Sequence, residues 1–229
     1  MTKFFEFKNG CMQELPLMLG VFPFGIAFGI LGVDSGLSFL QTMIMSSIVF
    51  AGASQILFAQ LIASGSPYGI LVSSVAVVNL RHILYGLSLR NYLKNLSLRW
   101  RIILSYLITD ESFAISYKRF SERKSSKFMH YHLLGSGITL WFTWQISTFL
   151  GIWFGHFIPE YFNLEFAIPL SFLAIITLST KKIEEIFVIF ISSLLTLILK
   201  DLPWNLWLII SALSSIFITL LIFKINEKK

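Results

Sequence analysis

The chain has 229 residues, of which 55% are hydrophobic and 13% charged, with a mean hydropathy of +0.76. Soluble domains carry roughly 25% charged residues, so this composition excludes an ordinary soluble enzyme and indicates an all-α polytopic membrane protein, one domain over residues 1–229. The net charge of +6 lies in short loops and tails, where it sets topology and meets anionic lipid rather than nucleic acid.

Eight apolar runs follow one another, at 15–33, 38–63, 68–90, 102–118, 131–157, 164–180, 184–200 and 204–223. They are too long, and alternate too little, to be barrel strands. We expect seven to eight helical elements, at least one of them broken or re-entrant, between short cytoplasmic tails. The N-terminal run holds Pro16 and Pro23 and shows no cleavable signal pattern. The single cysteine, Cys11, excludes an internal disulfide and a multi-Cys metal site, and no cofactor is expected.

The first run, from Leu15 to Val33, carries two prolines together with Gly20, Gly25 and Gly29. Proline removes a backbone donor, and broken backbone at membrane depth survives only where protein or a wet cavity satisfies it. The residues predict a break at Pro16/Pro23, with Pro23 and Gly25 lining a site. The alternative is a kinked helix packed closely through Gly25-x-x-x-Gly29. The second run places Gly52, Ser54 and Gln55 near its middle; Ser47, Ala51 and Ser54 share one face of small residues that lets another backbone approach, and Gln55 offers both a donor and an acceptor.

The third run holds the strongest signal. Asn79-Leu80-Arg81-His82 starts half-way along Tyr68–Leu89. A charge near the centre of a bilayer costs ~2.5–3.5 kcal/mol on insertion scales, so Arg81 calls for a partner. The fourth run supplies one at its own centre, in Thr109-Asp110-Glu111-Ser112. Adjacent residues on a helix lie about 100° apart, so the two acids cannot face one partner equally. Asp110 is expected to pair with Arg81 or line the cavity, and Glu111 to cap a break or receive a proton. In the fifth run Trp141 and Trp144 read as packing. The sixth carries Glu165 and Pro169, and the last two are apolar without interior charges.

Topology poses a conflict. Arg90, Lys94, Arg99 and Arg101 precede the fourth run, while Lys118, Arg119, Arg123, Lys124 and Lys127 follow it. A simple crossing puts these basic loops on opposite sides, whereas the positive-inside rule wants both in the cytoplasm. Either one basic loop is tolerated outside, or the first and fourth runs are re-entrant, broken at Pro16/Pro23 and at Asp110.

The mid-depth polar groups (Pro23 and Gly25 backbone, Gly52, Ser54, Gln55, Asn79, Arg81, His82, Asp110, Glu111) suit a small zwitterion. Carboxylates are bound by backbone N–H groups, Arg or a helix N-terminus, and ammonium groups by carboxylate or amide oxygen. No G-x-x-x-x-G-K-[ST] loop is present, so ATP is not the direct energy source. Asp110, Glu111 and His82 offer proton coupling instead. Two other readings compete: a Ser54–His82 intramembrane hydrolase, and a non-transporting scaffold subunit.

Four stretches in order resemble the AzlC family of branched-chain amino acid permeases and exporters. They are Gly20-x-x-Pro23-Phe24-Gly25-x-x-Phe28-Gly29, Val49-Phe50-Ala51-Gly52-Ala53-Ser54-Gln55, Val78-Asn79-Leu80-Arg81-His82-x-Leu84-Tyr85-Gly86, and Leu107-x-Thr109-Asp110-Glu111-Ser112-Phe113-Ala114. A weaker match runs over Leu164–Pro169, where Glu165 stands in place of an expected Asp, and the tail after 180 is generic. The resemblance implies a multi-pass protein of the bacterial cytoplasmic (inner) membrane. It also implies export of leucine, isoleucine, valine and, in some members, methionine, with a small AzlD-type membrane protein as partner and no enzymatic activity.

Overall fold

The computed structural model describes residues 2–121, 127–154, 173, 180, 182–202 and 206–226. Among these residues the regular structure is all helix: α1 (Lys3–Asp34), α2 (Phe39–Val49), α3 (Gly52–Ala63), α4 (Tyr68–Leu93), α5 (Leu98–Tyr106), α6 (Asp110–Ser121), α7 (His130–Phe154), α8 (Ile183–Leu199) and α9 (Leu206–Asn226). By length and composition α1 and α4 can each cross a membrane. The expected sixth run, with Glu165 and Pro169, lies outside the described residues except for positions 173 and 180. The helices fall into two compact units, one within Met1–Ile176 and one within Thr177–Lys229.

In the first unit, α1 starts at Thr2, whose hydroxyl accepts from the Phe5 amide, and runs unbroken through both prolines. This corrects the expected break at Pro16/Pro23. Pro16 faces outward and Pro23 is half-buried, so each removes one backbone bond at the edge of the helix. Their opposite side is held straight by α7. Gly10 lies against His132 and Ser136, Gly25 against Ser147, and Gly29 against Thr148 and Ile152. The contacts climb both helices together, so α1 and α7 run side by side in the same direction. Small residues permit this approach, which in a membrane must supply the attraction that water cannot. A Cβ built on Gly29 falls on the Thr148 carbonyl oxygen and 2.9 Å from the Ile152 amide, both backbone atoms that cannot rotate away. Gly29→Leu is therefore expected to part the two helices and lower the thermal midpoint in detergent by several degrees, read by the fluorescence of the buried Trp144.

The second run is broken, although its sequence reads as one segment. α2 opens on a capping box between Ser38 and Gln41 and ends at Phe50, which takes φ 20° and ψ 55°. That is an uncommon conformation for a bulky residue. α3 then doubles back: Gln55 Nε2 donates to the Met45 and Ser46 carbonyls at 3.1 and 3.4 Å. In a continuous helix those residues would be about 14 Å apart along the axis. The last carbonyls of a helix lack intrahelical partners. Here Gln145 also donates to Ser46 at 3.2 Å, and the Tyr106 hydroxyl donates to Ser47.

The fourth run forms a second hairpin of the same kind. α5 climbs beside α7, from Trp100, edge-on to His130 and Tyr131, to Tyr106, whose hydroxyl accepts from Trp141 Nε1 at 2.7 Å. The chain turns at Leu107–Thr109, where Ser112 Oγ accepts from the Thr109 amide and donates to the Leu107 carbonyl. α6 then descends until Ser116 meets His132 at 3.4 Å and Arg119 meets Glu6. α4 runs alongside α6, with Tyr85 stacked on Phe113 and Tyr92 beside Phe120.

Direction therefore alternates in a simple way. A long helix (α1) is followed by a hairpin (α2–α3) folding in from the end where α1 finishes. An oppositely directed long helix (α4) is followed by a hairpin (α5–α6) folding in from the end where α4 finishes. The two tips meet half-way along α1 and α7, where Phe50, Leu107, Phe24, Leu140 and Trp144 share one core. In the second unit α8 and α9 pair antiparallel, through Phe187 beside Phe223 and Thr196 Oγ1 donating to Ser211 at 3.2 Å.

Candidate functional site

The hairpin tips enclose a cavity of about 20 Å³. By the measure that ~10–15 Å³ admits one water, this space holds a single water-sized occupant. Its polar wall is Gly52 and Ala53 at the start of α3, Arg81 and His82 from the middle of α4, and Thr109, Asp110 and Glu111 at the second tip. Its apolar wall includes Phe24, Phe50, Leu140 and Trp144.

The central feature is an ion pair. Arg81 Nη1 lies 2.8 Å from Asp110 Oδ2, with the two side chains 20% and 15% exposed. The Tyr85 hydroxyl donates to the other oxygen, Oδ1. Arg81 and Tyr85 are one helical turn apart, which is why both reach one carboxylate. Glu111 makes no ion pair with Arg81 among the described residues and accepts from Thr109 Oγ1 at 3.1 Å. His82 Nδ1 stays close to its own helix, 3.3 Å from the Asn79 carbonyl.

Two buried donors on this wall have no hydrogen-bond partner among the described residues: Arg81 Nε and Trp144 Nε1. The start of α3 adds to them, because Ala51 provides no side-chain cap. The first amides of a helix carry no intrahelical partner and attract negative charge. Gly52 is required at this point, since a Cβ there would stand 2.8 Å from the Trp144 ring and 3.1 Å from the Phe24 ring. The residues that line the cavity thus include two with an unpartnered buried donor and two carboxylates.

A family profile described as "AzlC protein" matches residues 16–158, more than half of the chain. The chain belongs to the AzlC family. Relatives include the inner membrane protein YgaZ of Escherichia coli K12, 27% identical over 79% of this chain and 76% of that protein. A membrane protein of Archaeoglobus fulgidus is 29% identical over 79% of each chain. The branched-chain amino acid transport protein AzlC of Bacillus subtilis is 30% identical over 48% of this chain and 43% of that protein. No solved structure matches.

Of the AzlC-like residues singled out in the sequence, Gly52, Arg81, His82, Asp110 and Glu111 come together at the cavity. Ser54 stands just behind it and donates to Asn79 Oδ1 at 2.6 Å, tying α3 to α4. Both Asn79 oxygens are thereby engaged, one by Ser54 and one by His82, and Ser54 is not bonded to His82 as a hydrolytic dyad would require. Gln55 braces the first hairpin from within and does not line the cavity. Pro23 and Gly25 are outside the lining as well: Pro23 lies within continuous helix, and Gly25 is packed against Ser147 and Trp144. Sequence reasoning missed Trp144, read as packing alone, and the bidentate pair of Glu6 with Arg119. It also missed Glu14, one residue before the first apolar run; its i, i+3, i+4, i+7 spacing to Leu17, Met18 and Val21 was the available signal.

Proposed function

We propose that this AzlC-family chain is a secondary transporter of the bacterial cytoplasmic membrane that exports branched-chain amino acids. The substrates are leucine, isoleucine and valine, with methionine as a further candidate. Transport is proton-coupled and uses a small AzlD-type membrane partner. The observation that carries this reading is a cavity lined by residues with spare donors (Arg81, Trp144, the uncapped start of α3) together with two carboxylates (Asp110, Glu111). A zwitterion placed between Arg81 and Asp110 gives its carboxylate to the first and its ammonium to the second. One internal ion pair is exchanged for two external ones at no change in net charge. Phe24, Phe50 and Leu140 receive an aliphatic side chain. The present cavity is far smaller than such a molecule, so binding requires a hairpin to withdraw.

The fold also supports a cytoplasmic orientation for one end. Both hairpins are read as re-entrant, which brings the loops before α5 and after α6 to the same end as the N-terminus. That end collects Lys3, Lys8, Arg90, Lys94, Arg99, Arg101, Lys118 and Lys127, whereas no Lys or Arg occurs from residue 9 to residue 80. A re-entrant fourth run thus answers the topology conflict under the positive-inside rule.

The test is amino-acid counterflow in liposomes holding this chain, with and without the small partner. Exchange of aliphatic but not charged amino acids is expected. No exchange by a folded pair would leave the scaffold reading in its place. Asp110→Asn is expected to keep a weakened counterflow at equal pH, because the ammonium loses its carboxylate, and to lose acceleration by a pH gradient, since asparagine still accepts from Tyr85 but takes up no proton. Unaltered pH dependence in that variant would remove Asp110 from coupling.

A further inference from the structure

Glu14 has no part in the arrangement described so far. It lies two helical turns before Val21 on the face of α1 that leads up to the cavity, and it is fully buried, at 0% exposure. One of its oxygens accepts from the Ser136 hydroxyl of α7, and the other, Oε1, has no partner among the described residues. No ion pair among the described residues includes Glu14. The polar groups around it can be named helix by helix. From α7 come Ser136 and, one turn lower, His132, which is engaged by Gln13 and Ser116. From α6 come Glu111 and Arg119, the latter bound to Glu6 of α1.

A dry carboxyl group with no counter-charge is stable when it carries a proton and costly when it does not. A short path connects this group to the cavity. Ser136 adjoins Gly137, on which Leu107 of the second hairpin tip packs. Thr109, two residues further along, donates to Glu111. Glu14 and Glu111 therefore flank a single contact between α7 and the tip.

We propose that Glu14 is the proton carrier between the N-terminal end of the bundle and the cavity. When the α5–α6 hairpin shifts, the Glu111 carboxyl gives its proton to a Glu14 carboxylate through an intervening hydroxyl or water. Glu111 becomes the carboxylate, Glu14 the acid, and Glu14 then releases its proton at the end of the bundle where α1 begins, so that protons move inward as substrate moves out. This inference rests on the proton-coupled transport reading.

The experiment uses liposomes with the full chain and its small partner, comparing leucine counterflow at equal pH with leucine accumulation driven by a pH gradient. At equilibrium a gradient of one unit sustains about tenfold accumulation per coupled proton. Glu14→Gln is expected to retain counterflow and lose that accumulation entirely, while Glu14→Asp, which keeps a carboxyl, restores part of it. Wild-type accumulation in Glu14→Gln overturns the proposal. So does an equal loss in Glu14→Asp, because shape rather than the proton would then matter. Wild-type counterflow without any gradient effect overturns the Glu14 assignment and leaves transport standing. Absence of wild-type counterflow overturns the transport reading itself.

Discussion

Replacing Arg81 with alanine is expected to abolish transport, lowering counterflow at least about a hundredfold, or ~3 kcal/mol at 1.4 kcal/mol per tenfold. Arg81 is the cation of the described cavity wall, and its guanidinium serves two ends. Nη1 holds Asp110 at 2.8 Å, while Nε has no hydrogen-bond partner among the described residues. Alanine removes the anchor for a substrate carboxylate. It also strands Asp110 with only the Tyr85 hydroxyl for company. Removing one member of a buried pair costs ~3–5 kcal/mol, discounted here because both side chains keep some exposure. The double variant Arg81→Ala/Asp110→Asn separates the two effects. It is expected to recover thermal stability, since no unpaired charge remains, without recovering transport. Counterflow near the wild-type rate in Arg81→Ala would discard the site.

Arg119→Ala is expected to cost the most stability, ~3–5 kcal/mol. Arg119 Nη2 lies 2.7 Å from Glu6 Oε1 and Nε lies 3.2 Å from Oε2, with the side chains 3% and 0% exposed. The fork geometry matches the carboxylate, so lysine is a poor substitute. The pair fastens the end of α6 to the first turns of α1. Its loss leaves Glu6 as a buried charge and frees the second hairpin. Thermal unfolding in detergent should show a lower midpoint in Arg119→Ala and in Glu6→Ala. The double replacement Glu6→Gln/Arg119→Met should fall closer to wild type, because apolar packing can replace a buried pair. Equal midpoints for wild type and Arg119→Ala would show the pair to be idle.

Much of this arrangement was legible in the sequence, for reasons that can be stated residue by residue. Two opposite charges placed in the middle of apolar runs demand one another, and Arg81 does meet Asp110. A fold-back near Asp110 was one of two answers to the topology conflict, and the chain does turn at Leu107–Thr109. The break at Phe50–Ala51 was not legible. Residues 38–63 form one long apolar run, and the polar groups that satisfy its broken end, Gln145 and Tyr106, come from distant parts of the chain. The prolines of α1 misled for the opposite reason. Proline is a local signal, and the α7 seam that keeps α1 straight is a tertiary one.

The two hairpins are fastened by unlike means, and this bears on how the protein would rest between cycles. One latch is a buried ion pair, Arg119 with Glu6. The other is built of neutral bonds, Ser46 with Thr148 at 3.1 Å and Ser47 with Gln145 at 2.9 Å. If each hairpin serves as a gate, the gates differ in the work needed to open them. A difference of only 1.4 kcal/mol, about one such bond, makes one open state tenfold more populated than the other. The resting protein would then wait with its neutral latch undone more often than its charged one, open at the end where α1 finishes and α4 begins.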